Sequence, residues 1–423
     1  MKWERLIKWV VYVGWLIMFV FGAVGVYLRL TEQLKPTALG SYVVWGLWIS
    51  ADIYFIGLSA GAFFVSSFVY VFRVKILEPL GKLALFTALI GLFLAMLTAW
   101  ADIGHMERFY YIFIRPNFKS IMTWMVWGYM AYFLLLLLEL WFAIRVDLVN
   151  SGSEATFRGR LCRLLAFGRT ETSDEAIRRD HRILRILGSI GVPLAIGFHG
   201  GMGALFATLV ARPYWNVPLY PIFFLFGALT SGSALLLALA VFLWPQRNET
   251  WQQMVGMMGR VVVGLLAFDL LLEWAEISVP AWYGIGGEIK LFQVILFGPF
   301  WWVFWIVHIL LGVIIPLFLL LGWPKKPNIL GLAGLLVAVT YMSVRLNIVI
   351  PGLITPEFEG LREAYNGARL RYEYMPTLVE WQIVLFVAML GVGLFYLGYR
   401  LLPLIPQRHH PEPSSPTAAI SGG

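Results

Sequence analysis

The sequence predicts an all-α, polytopic membrane protein, and three observations carry that reading. Of its 423 residues, 60% are hydrophobic and only 13% charged, and the mean hydropathy is +0.78, far more apolar than a soluble domain requires. Apolar runs long enough to cross about 30 Å of hydrocarbon at about 1.5 Å per residue recur ten times. The 19 Trp, 18 Tyr and 31 Phe suit aromatic belts at the two membrane interfaces. In such a chain the net charge of +8 reports orientation and not affinity for nucleic acid.

The runs fall near 9–30, 44–72, 83–103, 121–145, 187–211, 218–244, 256–278, 291–322, 328–350 and 378–402. The first follows Lys2, Arg5 and Lys8, as a signal peptide would, but it is too long for one and lacks a small-residue cleavage site. It reads as a membrane helix. With the N-terminus in the cytoplasm, an even number of crossings returns the C-terminus there. The cytoplasmic segments then hold 21 of the 32 lysines and arginines, a bias that favours both termini inside. The expected organisation is an N-terminal helix and outer loop (1–43), a four-helix bundle (44–211) with a basic cytoplasmic loop (146–186), a second four-helix bundle (218–350), an outer loop and last helix (351–403), and a disordered Pro/Ser-rich tail (404–423). The basic loop suits contact with anionic lipid headgroups, in part as a surface helix.

Two stretches hint at duplication. Tyr54–Ala62 reads YFIGLSAGA and Phe224–Ala234 reads FLFGALTSGSA. Equivalent places in two stacked four-helix bundles, spans two to five and six to nine, would explain both. Ordinary close helix packing explains them equally well.

Chemistry concentrates in the connector WADIGHMERFYYIFIRPNFKSIMTW, from Trp100 to Trp124. It sets Asp102, His105, Glu107, Arg108, Arg115 and Lys119 among aromatic residues on the outer side. Such a boundary suits a redox-active ring and its protons, while the plainer reading is a solvated loop with snorkelling cations. Within the spans lie Asp52, Glu139, His199, Asp269, Glu273, Glu276, His308, Arg345 and Glu380. A charge there costs about 2.5–3.5 kcal/mol on insertion scales, so each needs a reason. Asp269, Glu273 and Glu276 share a helix face, which suits a proton path, although each could instead be satisfied by a local partner. The single cysteine, Cys162, excludes a disulfide framework and an iron–sulfur cluster ligated by this chain alone. No metal-spaced cluster, phosphate loop or nucleophile motif is present.

Several motifs resemble the NrfD/PsrC membrane subunits of respiratory oxidoreductases, in particular the ten-helix branch of hydrogenase-2 and sulfite-reduction-associated subunits. They are Asp102-Ile103-Gly104-His105 with Arg108-Phe109, and Arg115-Pro116-Asn117 through Ser120-Ile121-Met122-Thr123-Trp124. Further along come His199-Gly200 with Ala211-Arg212-Pro213-Tyr214-Trp215-Asn216 and Pro221, then Arg345-Leu346-Asn347, and Tyr374-Met375-Pro376-Thr377 with Glu380. Their order spans nearly the whole chain. The chain departs from the pattern at His308, where some members carry an acidic residue. The resemblance implies a haem-free subunit that binds menaquinone or ubiquinone near the outer face. There it would exchange electrons with an iron–sulfur, ferredoxin-like partner, in complexes that add a molybdopterin enzyme, a hydrogenase or multihaem cytochromes.

Quinol oxidation releases two electrons and two protons, so a site needs an apolar slot, donors to the ring oxygens and a base. Asp102 and His105 are the candidate catalytic pair. Arg108 and Arg345, with Asn347, would hold or tune the headgroup; Tyr110, Tyr111 and Trp124 would wall the slot; Gly57 and Gly61 would admit the ring to the second span. Asp52, Glu139, His199, Asp269, Glu273, Glu276 and His308 would carry protons. Two other classes fit parts of the pattern. A secondary transporter requires helices broken at corresponding places in both halves. A di-haem cytochrome b-type anchor would use His199 and His308 as axial ligands.

Overall fold

The computed structural model describes residues 2–283, 286–358, 360–364, 367 and 369–405. The expected tail lies almost wholly outside them. Among the described residues the architecture is helical, with no strand. Its elements are α1 (Lys2–Glu32), α2 (Leu47–Tyr70), α3 (Gly81–Asp102), α4 (Ile121–Ser151), α5 (Phe157–Leu165), α6 (Asp174–Ala207), α7 (Tyr220–Phe242), α8 (Glu249–Tyr283) and α9 (Gly286–Phe297). There follow α10, made of Val303–Ile314 and its continuation Ile315–Gly322, then α11 (Pro327–Thr340), α12 (Met342–Ile354) and α13 (Leu378–Leu401). Nine helices among the described residues are long and apolar enough to cross a membrane. The 31-residue α4, packed between α3 and α6, completes a set of ten rods. Helix is the form an apolar crossing must take, because lipid offers nothing to a free backbone N–H or C=O.

The rods form two groups. Helices α2, α3, α4 and α6 pack together, as do α7, α8, α10 and α11, and the groups meet along α2 and α7. At that seam the two small-residue patches face each other: a Cβ on Gly61 would strike the carbonyl of Ala228, and one on Gly232 would strike the backbone of Gly61 and Ala62. Glycine is required there because the backbones themselves touch. Helices α1 and α13 pair with each other and attach through α13 to α3 and α2.

Several boundaries differ from the apolar runs. Span 291–322 is broken at Gly298-Pro299, leaving α9 as a separate 12-residue helix; the proline has no N–H to continue the ladder. Residues 303–314 are then wound as a π-helix, ending at Ile315-Pro316. A proline ring clashes with the carbonyl four residues back, and wider turns move that carbonyl aside. Span 328–350 is interrupted at Tyr341, between α11 and α12. Helices α4 and α6 outrun their apolar segments into the basic 146–186 region. Ser173 caps α6 by accepting from Ala176 N–H, Asp174 and Glu175 sit favourably at its N-terminus, and buried Arg145 and Asp180 pair at 2.6 Å between α4 and α6. Within the same region α5 buries Cys162 and exposes Phe157 and Leu164.

Candidate functional site

Alternation of the rods gathers residues 33–46, 103–120, 208–219 and 355–377 at one end of the bundle. The C-terminus of α3 is held there by Arg29 of α1. Its Nε donates to the Ala101 carbonyl at 2.9 Å and its Nη2 to that of Ile103 at 2.6 Å, answering carbonyls that have no intrahelical partner. The guanidinium also lies 5.6 Å from the ring centre of Trp48. Asp102, the last residue of α3, shares this neighbourhood with Asp52, Arg29 and Glu380. Its Oδ1 is buried and has no hydrogen-bond partner among the described residues. On α2, Asp52 accepts from Tyr129 Oη of α4 at 2.6 Å, both side chains being buried. Glu380 is fully engaged: Tyr374 Oη donates to it at 2.6 Å, as do the amides of Ala38 and Thr377. Burial and the Glu380 carboxylate raise the Tyr374 phenol above its ordinary value, so this hydroxyl remains a donor.

Beyond Asp102 the chain turns outward. His105 is exposed, its Nδ1 3.1 Å from Glu107 Oε1, and Arg108 Nε lies 3.8 Å from the same oxygen. The backbone amide of Glu107, with His105 and Arg108, holds that carboxyl below its ordinary value. Tyr110, Tyr111 and Trp124 are exposed as well. Trp124 Nε1 donates to the Phe118 carbonyl at 2.9 Å, and Tyr110 meets Tyr111 edge-on at 4.8 Å. These rings form an aromatic apron on the surface; they do not close over Asp102.

A second gathering of the expected residues lies in the other helix group. Asp269 of α8 accepts from Tyr341 Oη at 2.7 Å. One turn on, Glu273 lies 2.9 Å from His308 Nε2. Arg345 of α12 is buried with its guanidinium 4.9 Å from the Phe224 ring centre and 5.1 Å from that of Tyr341. Among the described residues its Nε and Nη1 lack hydrogen-bond partners, as do both amide atoms of Asn347 and Glu276 Oε1. Gly57 faces Ala228, Ser231 and Arg345, while Gly61 is filled by α7. Both nitrogens of His199 meet carbonyls, Ala195 at 2.8 Å and Ile56 at 3.0 Å. Glu139 is buried near Gly191, with one oxygen lacking a hydrogen-bond partner among the described residues. Among the described residues no three His, Cys, Asp or Glu side chains converge to hold a metal ion.

The structure thus joins Asp52 with Asp102, and Asp269, Glu273, His308, Glu276, Asn347 and Arg345 with one another. It sets His105, Arg108 and the three aromatic residues on the exterior. Arg29, Tyr129 and Tyr341 were not singled out in the sequence. Arg29 reads as a snorkelling residue at a span's end, and the two tyrosines are lost among 18.

The family model for polysulphide reductase, NrfD, matches residues 35–357. The chain belongs to that family. A selenate reductase subunit of Mesobacillus selenatarsenatis is 37% identical over 409 residues, covering 95% of this chain and 96% of its own length. The Hdr-like menaquinol oxidoreductase integral membrane subunit of Archaeoglobus fulgidus is 26% identical, covering 93% of each chain. The menaquinone reductase integral membrane subunit of Nitratidesulfovibrio vulgaris is 23% identical, covering 96% of this chain and 93% of its own. The protein is therefore an integral, multi-pass membrane subunit of a redox complex. The NrfD match takes in both helix groups and stops short of α13, so Arg29 and Glu380 lie outside it.

Proposed function

We propose that this protein is the quinone-reactive membrane subunit of a respiratory oxidoreductase. It binds menaquinone or ubiquinone beside Asp102, in a bacterial or archaeal cytoplasmic membrane with both termini inside. The electrons pass to or from a ferredoxin-like iron–sulfur partner docked on the outer face, which serves a molybdopterin, hydrogenase or multihaem subunit. The observation that carries this reading is the buried, unpartnered Oδ1 of Asp102 next to the Asp52–Tyr129 pair. The relatives named for menaquinol and menaquinone support the ligand class.

A bound quinone supplies two-electron, two-proton redox chemistry, and the chain's residues provide the rest. Asp102 takes or returns a proton at Oδ1. Arg29 fixes the end of α3 and so the position of that carboxylate. Tyr129 holds Asp52 with one oxygen occupied. His105, on the exposed turn beyond, exchanges protons with solvent, and Arg108 with the aromatic apron offers a surface for the partner and for the quinone's approach. The deeper groups, Glu139, His199, Asp269, Glu273, Glu276 and His308, extend the proton-bearing series into the bundle. Against the transporter reading, the breaks at 298–302 and 341 both fall in the second group, and α2, α3, α4 and α6 are continuous.

The test uses the complex purified from its own membranes, its lipid extract identified by mass spectrometry and its quinol-dependent turnover measured. Asp102→Asn is expected to lower turnover by about 10²-fold or more, the range of a lost general acid–base group, with His105→Ala giving a smaller loss. Unchanged turnover in Asp102→Asn would falsify the assignment of the site, and an extract free of quinone the function itself.

A further inference from the structure

Between α7, α8, α9 and the 213–219 loop lies a cleft of about 290 Å³, whose lining shares only Glu276 with the groups given roles above. It exists because Gly298-Pro299 breaks the eighth span, so that α9 stands apart and presents Phe292 toward the loop. Tyr214, Tyr220 and Phe223 supply further walls. Tyr214 is wedged edge-on between Phe292 and Tyr220, with ring centres 6.0 Å apart in each case. Glu276 lines the same cleft. The Glu276 carboxyl and the Tyr220 hydroxyl interact with each other, but neither Oε1 nor that hydroxyl, both buried, reaches full hydrogen-bond geometry with any of the described residues. Beneath, a recess of about 20 Å³ is bounded by Glu273, Glu276 and Asn347. Asn347 is 7% exposed, and neither its Nδ2 nor its Oδ1 has a partner among the described residues.

We infer that this cleft is a second binding site of the molecule, for the ring of a tailed quinone or quinol. Flat aromatic walls fit a planar ring. A carboxylate and a phenol in the cleft, with a buried amide in the adjoining recess, offer both donors and acceptors, which a ring bearing opposed carbonyl or hydroxyl oxygens would satisfy and an acyl chain would leave unpaired. The volume matches a ring and not a whole isoprenoid molecule. The tail would leave past Val279 of α8, which is 56% exposed at the cleft's edge. The ligand class rests on the quinone reading above, while the residues of this cleft are other than those around Asp102.

The test is photolabelling of the native complex with an isoprenoid azidoquinone, with labelled peptides mapped by mass spectrometry. Wild type should label both the 100–129 region and the 213–223 and 275–292 peptides. Ala275→Phe, which fills the cleft from an exposed position, should abolish the second set and keep the first. Asp102→Asn should retain the second set. Label confined to the 100–129 region overturns this inference and leaves the proposed function standing, whereas label in neither region overturns both. Cleft label that survives Ala275→Phe, or that excess phospholipid displaces and excess unlabelled quinone does not, makes the cleft a lipid seat and overturns the inference.

Discussion

At the scale of single residues, the molecule spends its polar groups in pairs. Asp52 with Tyr129, Asp269 with Tyr341, Glu273 with His308 and Glu380 with Tyr374 each join a carboxylate to a donor on another element or turn. Removing the donor from such a pair leaves a buried oxygen unsatisfied, which costs about 1–3 kcal/mol. Tyr129→Phe should therefore lower the thermal unfolding temperature of the detergent-purified protein measurably, whereas Tyr111→Phe, on the exposed apron, should leave it where it was. Equal shifts in the two variants would contradict the pairing. The carboxylates in these pairs were legible in the sequence, because a charge inside an apolar run is conspicuous. Their tyrosine partners were not, since a tyrosine in such a run is indistinguishable from one facing lipid until the helices are packed.

At the scale of elements, the seam between α2 and α7 is the most demanding contact. Gly61 and Gly232 bring two backbones together with no room for a side chain. Gly61→Leu should force the helices apart at a cost above the roughly 1–3 kcal/mol typical of overpacking, seen as loss of folded protein on size-exclusion chromatography. Gly14→Leu on α1 meets nothing within 4 Å and should be tolerated. The small-residue patches were visible as a repeated pattern, and the sequence left open whether a ligand or a helix filled them; at Gly61 the answer is a helix. The break at Pro299 and the wide winding before Pro316 were harder to see. Hydropathy averages over about twenty residues and passes across both, and proline is common enough in membrane helices that its presence alone does not fix a break.

For the whole molecule, the ten-rod count followed from length and hydropathy, and the ends of the bundle from the alternation that count imposes. The charge bias then makes a claim about sides. In a Cys162→Ser background, Lys119→Cys should react with a membrane-impermeant maleimide in intact cells, and Arg160→Cys only after permeabilisation. Both positions are exposed, at opposite ends of the bundle, so the reverse pattern would invert the topology. How the second group of polar residues would fold around a cleft was not legible, because Tyr214, Glu276, Phe292 and Asn347 come from four separate elements.

Arg29 belongs to the most lipid-exposed of the candidate membrane helices, yet it is the residue that holds the end of α3 beside Asp102. Glu380, in the same neighbourhood, sits on the last helix. The group around Asp102 is therefore assembled from the first and last membrane helices and three in between. During synthesis the early helices can enter the membrane and pack while Glu380 has yet to be made. That group is complete only once α13 is in place, and a chain cut or halted before it would carry Asp102 without Glu380 beside it.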